Sequence, residues 1–207
     1  MGFYTDQIVP RIFHAVCGSK DHDPLRQRTC AGLHGRVLEV GFGSGLNILF
    51  YPDDVERVAG IEPAAVAWRL ARKQLARSRI PVERAGLDGR SLPFDDGTFD
   101  CALSTFTLCS IPEVETALAE IRRVLVPGGA FHFVEHGKAP DPRVHRWQRR
   151  LDPFQRRAFA GCHLARDIPR LIRAAGFTIR EMDTFYQPGG PKYLAALSLG
   201  VAVSPTA

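Results

Sequence analysis

Four residues at alternating positions, Glu39, Gly41, Gly43 and Gly45, carry the first chemical signal in this sequence. They follow the apolar run that ends at Val40 and open the stretch Gly41-Phe42-Gly43-Ser44-Gly45-Leu46-Asn47. Glycine has no Cβ, so backbone N–H groups in such a turn can approach a ligand closely. A helix beginning at Leu46 would add the unpaired donors of its N-terminus. The stretch therefore reads as a nucleotide-like cofactor turn. Its spacing excludes a dinucleotide fingerprint, which needs G-x-G-x-x-G; the third glycine would fall at Leu46 or Ile48. An acid two positions before the first glycine suits an amine-bearing or cationic ligand. Glu62 closes the next apolar run, roughly 20 residues on, where an acid commonly takes both ribose hydroxyls of a bound nucleotide. A carboxylate accepts two hydrogen bonds at once. Glu62 could equally cap a helix that starts at Pro63, but its spacing from the glycines favours the ligand role.

These residues need a scaffold, and the pattern supplies one. Continuous apolar runs, as parallel sheets require, predict strands over Arg36–Val40, Val55–Ile61, Pro81–Ala85, Asp100–Ser104 and Ala130–Glu135. Phe177–Phe185 and Lys192–Val201 read as two closing strands. Helices are expected over Ala64–Ser78, Glu113–Val126, 141–160 and Arg166–Ala175. In the second, Val114, Ala117, Leu118, Ile121, Val124 and Leu125 recur with helical period, and Pro127-Gly128-Gly129 stops it. Ahead of the first strand, Phe3, Tyr4, Ile8, Val9, Ile12, Phe13 and Val16 suggest one or two short helices interrupted by Pro10, then a polar loop from Gly18 to Asp21. Residues 1–34 would either fold over the cofactor turn as a lid or pack on the sheet. The expectation is one α/β domain over 1–207, with the N-terminal helical segment 1–34 and a catalytic core 35–207.

Composition bounds the class. With 207 residues, 45% of them hydrophobic, the chain can bury a sizeable single core. No apolar run reaches the ~18 residues of a membrane span, and no basic-then-apolar signal pattern opens the chain. A soluble cytoplasmic protein is expected, with peripheral membrane contact as its only route to a bilayer. The five cysteines are scattered without a C-x-x-C pair, which argues against a metal site or a disulfide framework. The net charge is +5, but 23 of 27 basic residues are Arg, a bias that reflects base composition as readily as nucleic-acid binding. No basic groove interleaved with aromatics and no appended recognition domain is visible, so nucleic acid is not an expected partner. The basic stretch 141–160 holds six arginines with Trp147, Leu151, Phe154 and Phe159. A membrane-surface face and a clamp for acidic substrates are two readings. A solvated helix whose apolar side caps the site is the expected one.

The run Glu39-x-Gly41-x-Gly43-x-Gly45, the segment Asp88-Gly89-Arg90-Ser91-Leu92-Pro93-Phe94, and Arg122-Arg123-Val124-Leu125-Val126-Pro127-Gly128-Gly129 resemble class I S-adenosylmethionine-dependent methyltransferases. The resemblance covers about residues 36–200. It implies a Rossmann-like seven-stranded sheet with a reversed last strand, helices on both faces, and S-adenosylmethionine as cofactor. It further implies cofactor contacts at Glu39, Val40, Gly41, Gly43, Gly45 and Asn47, at Glu62 and Pro63, and at Asp88, Gly89 and Arg90. Thr105–Cys109, beyond the carboxyl end of the fourth predicted strand, would border the methyl group, with Thr105 and Phe106 as cofactor contacts. Asp88 would take the adenine amino group. Arg90 stands where the family has an acid, so backbone contact alone is expected there. Thr107-Leu108-Cys109-Ser110-Ile111 and Gly161-Cys162-His163-Leu164 are similar to the small-molecule thiol methyltransferase-like group. A small-molecule acceptor, with a thiol as the leading candidate, is the function this implies. A quinol or phenol acceptor, or a non-catalytic cofactor-binding module, are the alternatives. A quinol would need a base; His136, His163 and Tyr186 are the candidates near the strand ends. Cys109 and Cys162 read as buried small residues.

Overall fold

The central parallel strands of this chain are buried on both sides and must be covered twice. The computed structural model, which describes residues 7–86, 88–159 and 161–206, solves this with helices on the two faces of one seven-stranded sheet. Phe3, Tyr4 and residue 160 lie outside the described residues. In chain order the elements are α1 (Val9–Cys17), α2 (Asp23–Cys30), β1 (Gly35–Val40), β2 (Val55–Ile61), α3 (Ala65–Leu75), β3 (Val82–Gly86), β4 (Phe99–Thr105), α4 (Val114–Val124), β5 (Leu125–His136), α5 (Pro142–Ala158), α6 (Ile168–Ala174), β6 (Thr178–Tyr186), α7 (Lys192–Ala195) and β7 (Ala196–Val203).

The strand order is β3-β2-β1-β4-β5-β7-β6, with β7 antiparallel to both neighbours. One face is covered by α4 and α6: Val114, Leu118, Ile121, Val124, Ile168 and Ile172 pack on Leu38, Ala102, Phe131 and Phe133. The opposite face buries Val37, Val58, Cys101 and Leu103 under Cys30, Phe42, Ile48, Tyr51 and Ala71. The order reverses between β1 and β4, and an open α/β sheet leaves a ligand crevice at that point, beyond the strands' carboxyl ends.

Four local expectations are corrected. No α-helix follows the glycine turn; Ile48–Phe50 form a single 3-10 turn, because Tyr51 is drawn inward to Glu39 and Pro52 ends the turn. The helix N-terminus invoked for the ligand is therefore absent at that position. Pro10 does not interrupt α1 but sits in its first turn, where the missing N–H costs nothing. Pro127-Gly128-Gly129 are not a break between elements: β5 already starts at Leu125 and absorbs them in a register shift against β4. Lys192–Ala195 form a short helix, and the last strand starts only at Ala196.

The N-terminal segment touches both the glycine turn and the sheet. The His14 Nδ1 of α1 lies 2.7 Å from Ser44 Oγ in the glycine turn, and α1 packs against α3. The next helix, α2, lies on β5 and β7, with Leu25 against Val134, Leu197 and Leu199, and Thr29 O bonded to His132 Nδ1 at 2.9 Å. Cys30, at the end of α2, continues this cover toward Val37 and Val58.

Candidate active site

The glycine turn is stitched to the end of β2. Gly41 and Phe42 donate their N–H groups to Ile61 O at 2.9 and 3.1 Å, and Gly43 N donates to Glu62 Oε2 at 3.0 Å. Gly41 has φ +81°, and a Cβ there would fall 1.9 Å from Thr107 Oγ1. Gly43, at φ +55°, faces open space: the nearest atom to its hypothetical Cβ is Gly41 O at 3.8 Å. That bare backbone is where a ligand can come close. Glu62 is half-buried, and its other oxygen accepts from Ala64 N at 2.8 Å. Burial raises its pKa against the two N–H donors. Thus the carboxylate both faces the glycine turn and caps the start of α3, while Pro63 is exposed.

The floor of the crevice is a closed polar cluster. Glu39 is fully buried, with Oε1 accepting from Asn47 Nδ2 at 2.9 Å and Oε2 from Tyr51 OH. Asn47 also donates to Thr105 Oγ1 at 3.0 Å and accepts from Arg26 Nη1 at 2.7 Å. Arg26 reaches Thr105 Oγ1 at 3.3 Å and Cys17 O at 3.1 Å, and lies over the Phe106 ring. Burial pushes Glu39 up to about 7, opposed by Tyr51, Asn47 and Arg26. Arg26, buried and placed by α2, is a member of this cluster that spacing within the motif does not reveal. Phe106 has φ +55°, unusual for a non-glycine residue, and its N–H is fixed to Val134 O at 2.9 Å.

Asp88 is gripped by its neighbour. Arg90 Nε and Nη2 reach its two oxygens at 2.9 and 2.8 Å, and Arg90 Nη1 reaches Glu113 Oε1 at 2.8 Å. The guanidinium hydrogen-bonded to Asp88 holds its carboxyl below the usual range. Arg90 is thus engaged through its side chain as well as through its N–H, which donates to Asp88 Oδ1 at 2.9 Å. Gly89 lies against Val40, whose Cγ1 would be 3.1 Å from an added Cβ.

Beyond β4 and β5 a second buried carboxylate organises the loop 106–111. Glu135 Oε1 accepts from Ser104 Oγ at 2.8 Å and Thr107 N at 3.0 Å, and Oε2 from Cys109 N at 3.4 Å. Burial raises it to about 7 against those donors. Arg166 clamps the same loop through Leu108 O and Ile111 O, at 2.5 and 2.7 Å. Cys109 and Cys162 meet, Sγ to Sγ, at 3.6 Å, and Cys162 Sγ lies 3.8 Å from His136 Nδ1. The hydrogen bond shared with Cys109 and the adjacent imidazole pull the Cys162 thiol down, while the same bond and burial push Cys109 up. His136 Nε2 is buried and has no hydrogen-bond partner among the described residues. His163 donates its N–H to Cys109 O at 2.9 Å and sets Nδ1 3.3 Å from Asp152 Oδ2. The two histidines therefore flank one thiol pair. Tyr186 OH accepts from Asp141 N at 3.4 Å, and Lys192 Nζ lies over its ring. Among the described residues no group of three or more His, Cys, Asp or Glu side chains is set to hold a metal ion.

The crevice at the sheet's switch point, the bare Gly43 backbone and the acid at the end of β2 fit an adenosyl cofactor. Residues 38–133 match the methyltransferase domain family. This chain belongs to the class I S-adenosylmethionine-dependent methyltransferases. Within that class it is 36% identical over 166 residues to human thiol S-methyltransferase TMT1A, covering 76% of this chain and 67% of that protein. It is 37% identical over 137 residues to phosphatidylethanolamine N-methyltransferase of Cereibacter sphaeroides, covering 60% and 63%. The chain thus spans about two thirds of the length of these curated relatives. Solved structures share the fold: an S-adenosylmethionine-dependent methyltransferase from Mesorhizobium loti superposes with TM-score 0.65 at 17% identity, covering 90% of this chain and 99% of that one. An N-methyltransferase of Haemonchus contortus solved with S-adenosylhomocysteine gives TM-score 0.69 at 14% identity, covering 98% and 59%. The cofactor is S-adenosylmethionine. No helix among the described residues is long and apolar enough to cross a membrane.

Proposed function

We propose that this chain methylates the sulfur of a small thiol. The likeness to thiol S-methyltransferases supports the reading, and one observation carries it: among the described residues the two buried carboxylates of the crevice are both taken up by hydrogen-bond donors. Glu39 and Glu135 are saturated by their donors, whereas His136 Nε2 is buried and unpartnered beside Cys162. A neutral imidazole is adequate for a thiol, with pKa ~8.5, and poorly matched to a phenol near ~10. S-adenosylmethionine supplies an activated sulfonium methyl. The protein's task is then to hold nucleophile and methyl in line.

In this reading Glu62 binds the ribose diol. Gly41, Gly43 and Gly45 admit the cofactor's chain, and the cluster of Glu39, Asn47 and Arg26 receives its charged end. Asp88, Gly89 and Arg90 face the adenine, and Val40, Pro63, Thr105 and Phe106 line the path between. His136 accepts the thiol proton at Nε2. His163 positions Cys109 and its loop, and Tyr186 has no part in the chemistry.

The test measures S-adenosylhomocysteine release with an alkyl thiol and with a quinol, for the native protein and His136→Gln. Turnover on the thiol is expected. At pH 7 a thiol of pKa ~8.5 is roughly 3% ionised, so loss of the proton acceptor lowers kcat by about 30-fold at most, and the deficit closes above pH 8.5. Turnover on the quinol alone, or a His136→Gln deficit independent of pH, overturns the proposal.

A further inference from the structure

The chain's net charge is concentrated in one helix. Six arginines lie on α5 (143, 146, 149, 150, 156 and 157) against a single acid, Asp152. The whole chain has 27 basic and 22 acidic residues, which leaves 21 of each sign outside α5. The rest of the molecule is therefore formally neutral, and α5 alone accounts for the +5. Asp152 does not offset the arginines at the surface, because it turns inward to Ala165 N and His163, each at 3.3 Å. Among the described residues none of the six guanidiniums forms an ion pair.

The aromatics share that surface. Arg143, Trp147, Arg150, Phe154 and Arg157 follow one another at intervals of four and three, which places them on one face of the helix. Trp147 is 56% and Phe154 74% exposed, and Arg150 lies over the Trp147 ring. The opposite side is anchored. Gln148 is fully buried, its Oε1 accepting from Ala139 N at 2.8 Å and its Nε2 donating to Gly137 O and Tyr193 O at 2.9 and 3.2 Å. The buried amide fixes the roll of α5, so the arginine–aromatic stripe faces outward beside the end of β5.

We propose that α5 is an interfacial helix that seats the protein on an anionic phospholipid surface. Trp147 and Phe154 enter the headgroup level, about 10 Å apart along the axis, and the arginines lie on lipid phosphates. The face is a convex helix rather than a groove, which suits a broad charged plane better than a single nucleic-acid strand. Seated this way, the end of β5 that bears His136 lies next to the membrane, and an amphipathic acceptor reaches it by partitioning into the bilayer first.

The experiment is flotation of the full chain with vesicles of phosphatidylcholine alone or mixed with phosphatidylglycerol, at low and high salt, together with tryptophan emission. Binding to the mixed vesicles only, lost at high salt and accompanied by a blue shift from Trp147, is expected. Each guanidinium near an anionic surface contributes roughly a factor of five. The triple variant Arg143→Gln, Arg150→Gln, Arg157→Gln should therefore partition about 100-fold less. Phe154→Ala should lose about tenfold. All four positions are exposed, so circular dichroism and turnover of a water-soluble thiol without vesicles should not change. That turnover keeps this proposal separable from the proposed reaction. Equal binding to both vesicle types, no binding, or an unaffected triple variant overturns it. So does tighter capture of single-stranded RNA than of the mixed vesicles at equal salt.

Discussion

Replacing Glu39 with Gln should change how the stability of this protein depends on pH. The carboxyl is fully buried, and its pKa stands at about 7 in the fold against a reference of 4.5. Below pH 4.5 it is protonated whether the chain is folded or not. Between 4.5 and 7 the unfolded chain releases the proton while the folded chain keeps it, so stability falls as pH rises. Above 7 the loss is complete. A shift of about 2.5 units at 1.36 kcal/mol each is about 3 kcal/mol. Gln has nearly the same shape and can keep the contact to Asn47 while donating to the Tyr51 oxygen, but it cannot ionise. Urea unfolding of both proteins at pH 5 and pH 8, without cofactor, measures the effect. The stability difference between Glu39→Gln and the native protein should move by about 2.5 kcal/mol in favour of Gln from pH 5 to pH 8, since a little of the loss is already present at pH 5. A difference that stays constant across that range refutes the claim that this acid is held partly protonated by burial.

Other expectations concern the turn and its partners. Gly41→Ala should destabilise by about 2–4 kcal/mol, since it adds a Cβ 1.9 Å from Thr107 Oγ1 at φ +81°. Thr107→Gly in the same chain should recover part of that in a denaturant titration, and no recovery would mean the backbone alone carries the cost. Gly43→Val should lose about 1–3 kcal/mol to backbone strain at φ +55° yet fold, since its surroundings are open, and should fail to bind S-adenosylhomocysteine in calorimetry. Full binding by that variant would sink the role given to the turn. Glu62→Ala removes the acceptor of the Gly43 and Ala64 N–H groups. It should weaken S-adenosylhomocysteine binding about 100-fold and shift Tm by only a few degrees, and an unchanged Kd would dismiss the ribose contact.

The sheet was legible because buried parallel strands leave continuous apolar runs, and β1, β2 and β4 lie where those runs fall. Helix α4 was legible for the same kind of reason: its buried residues Val114, Ala117, Leu118, Ile121 and Val124 repeat at helical spacing. The run Leu46–Phe50 misled, since apolar residues followed by Tyr51 look like a helix start, whereas here they fold into one turn that delivers the tyrosine to Glu39. Partners far apart in the chain left no trace in spacing. Arg26 meets Thr105 across 79 residues and Cys109 meets Cys162 across 53. Glu135 was visible only as the last residue of a predicted strand; its donors come from Ser104, Thr107 and Cys109, on a different strand and loop. Asp88 and Arg90 were both read, but as separate contacts, although the reversed charge at position 90 makes them a pair.

That α1 and α2 cover the sheet has a consequence for the order of events during synthesis. The helices leave the ribosome first, yet everything they rest on comes later. Arg26 waits for Thr105, and Thr29 waits for His132, 103 residues downstream. At roughly 5–20 residues per second the latter gap is on the order of 5–20 s, far longer than a helix needs to form. Through that interval Leu25 and Thr29 have no strand to meet. The nascent chain thus carries the sheet-facing side of α2 uncovered until β5 and β7 emerge. A holdase at the tunnel exit, or slow codons after β5, would matter more for this protein than for a relative whose first crossover helix arrives with its own strands.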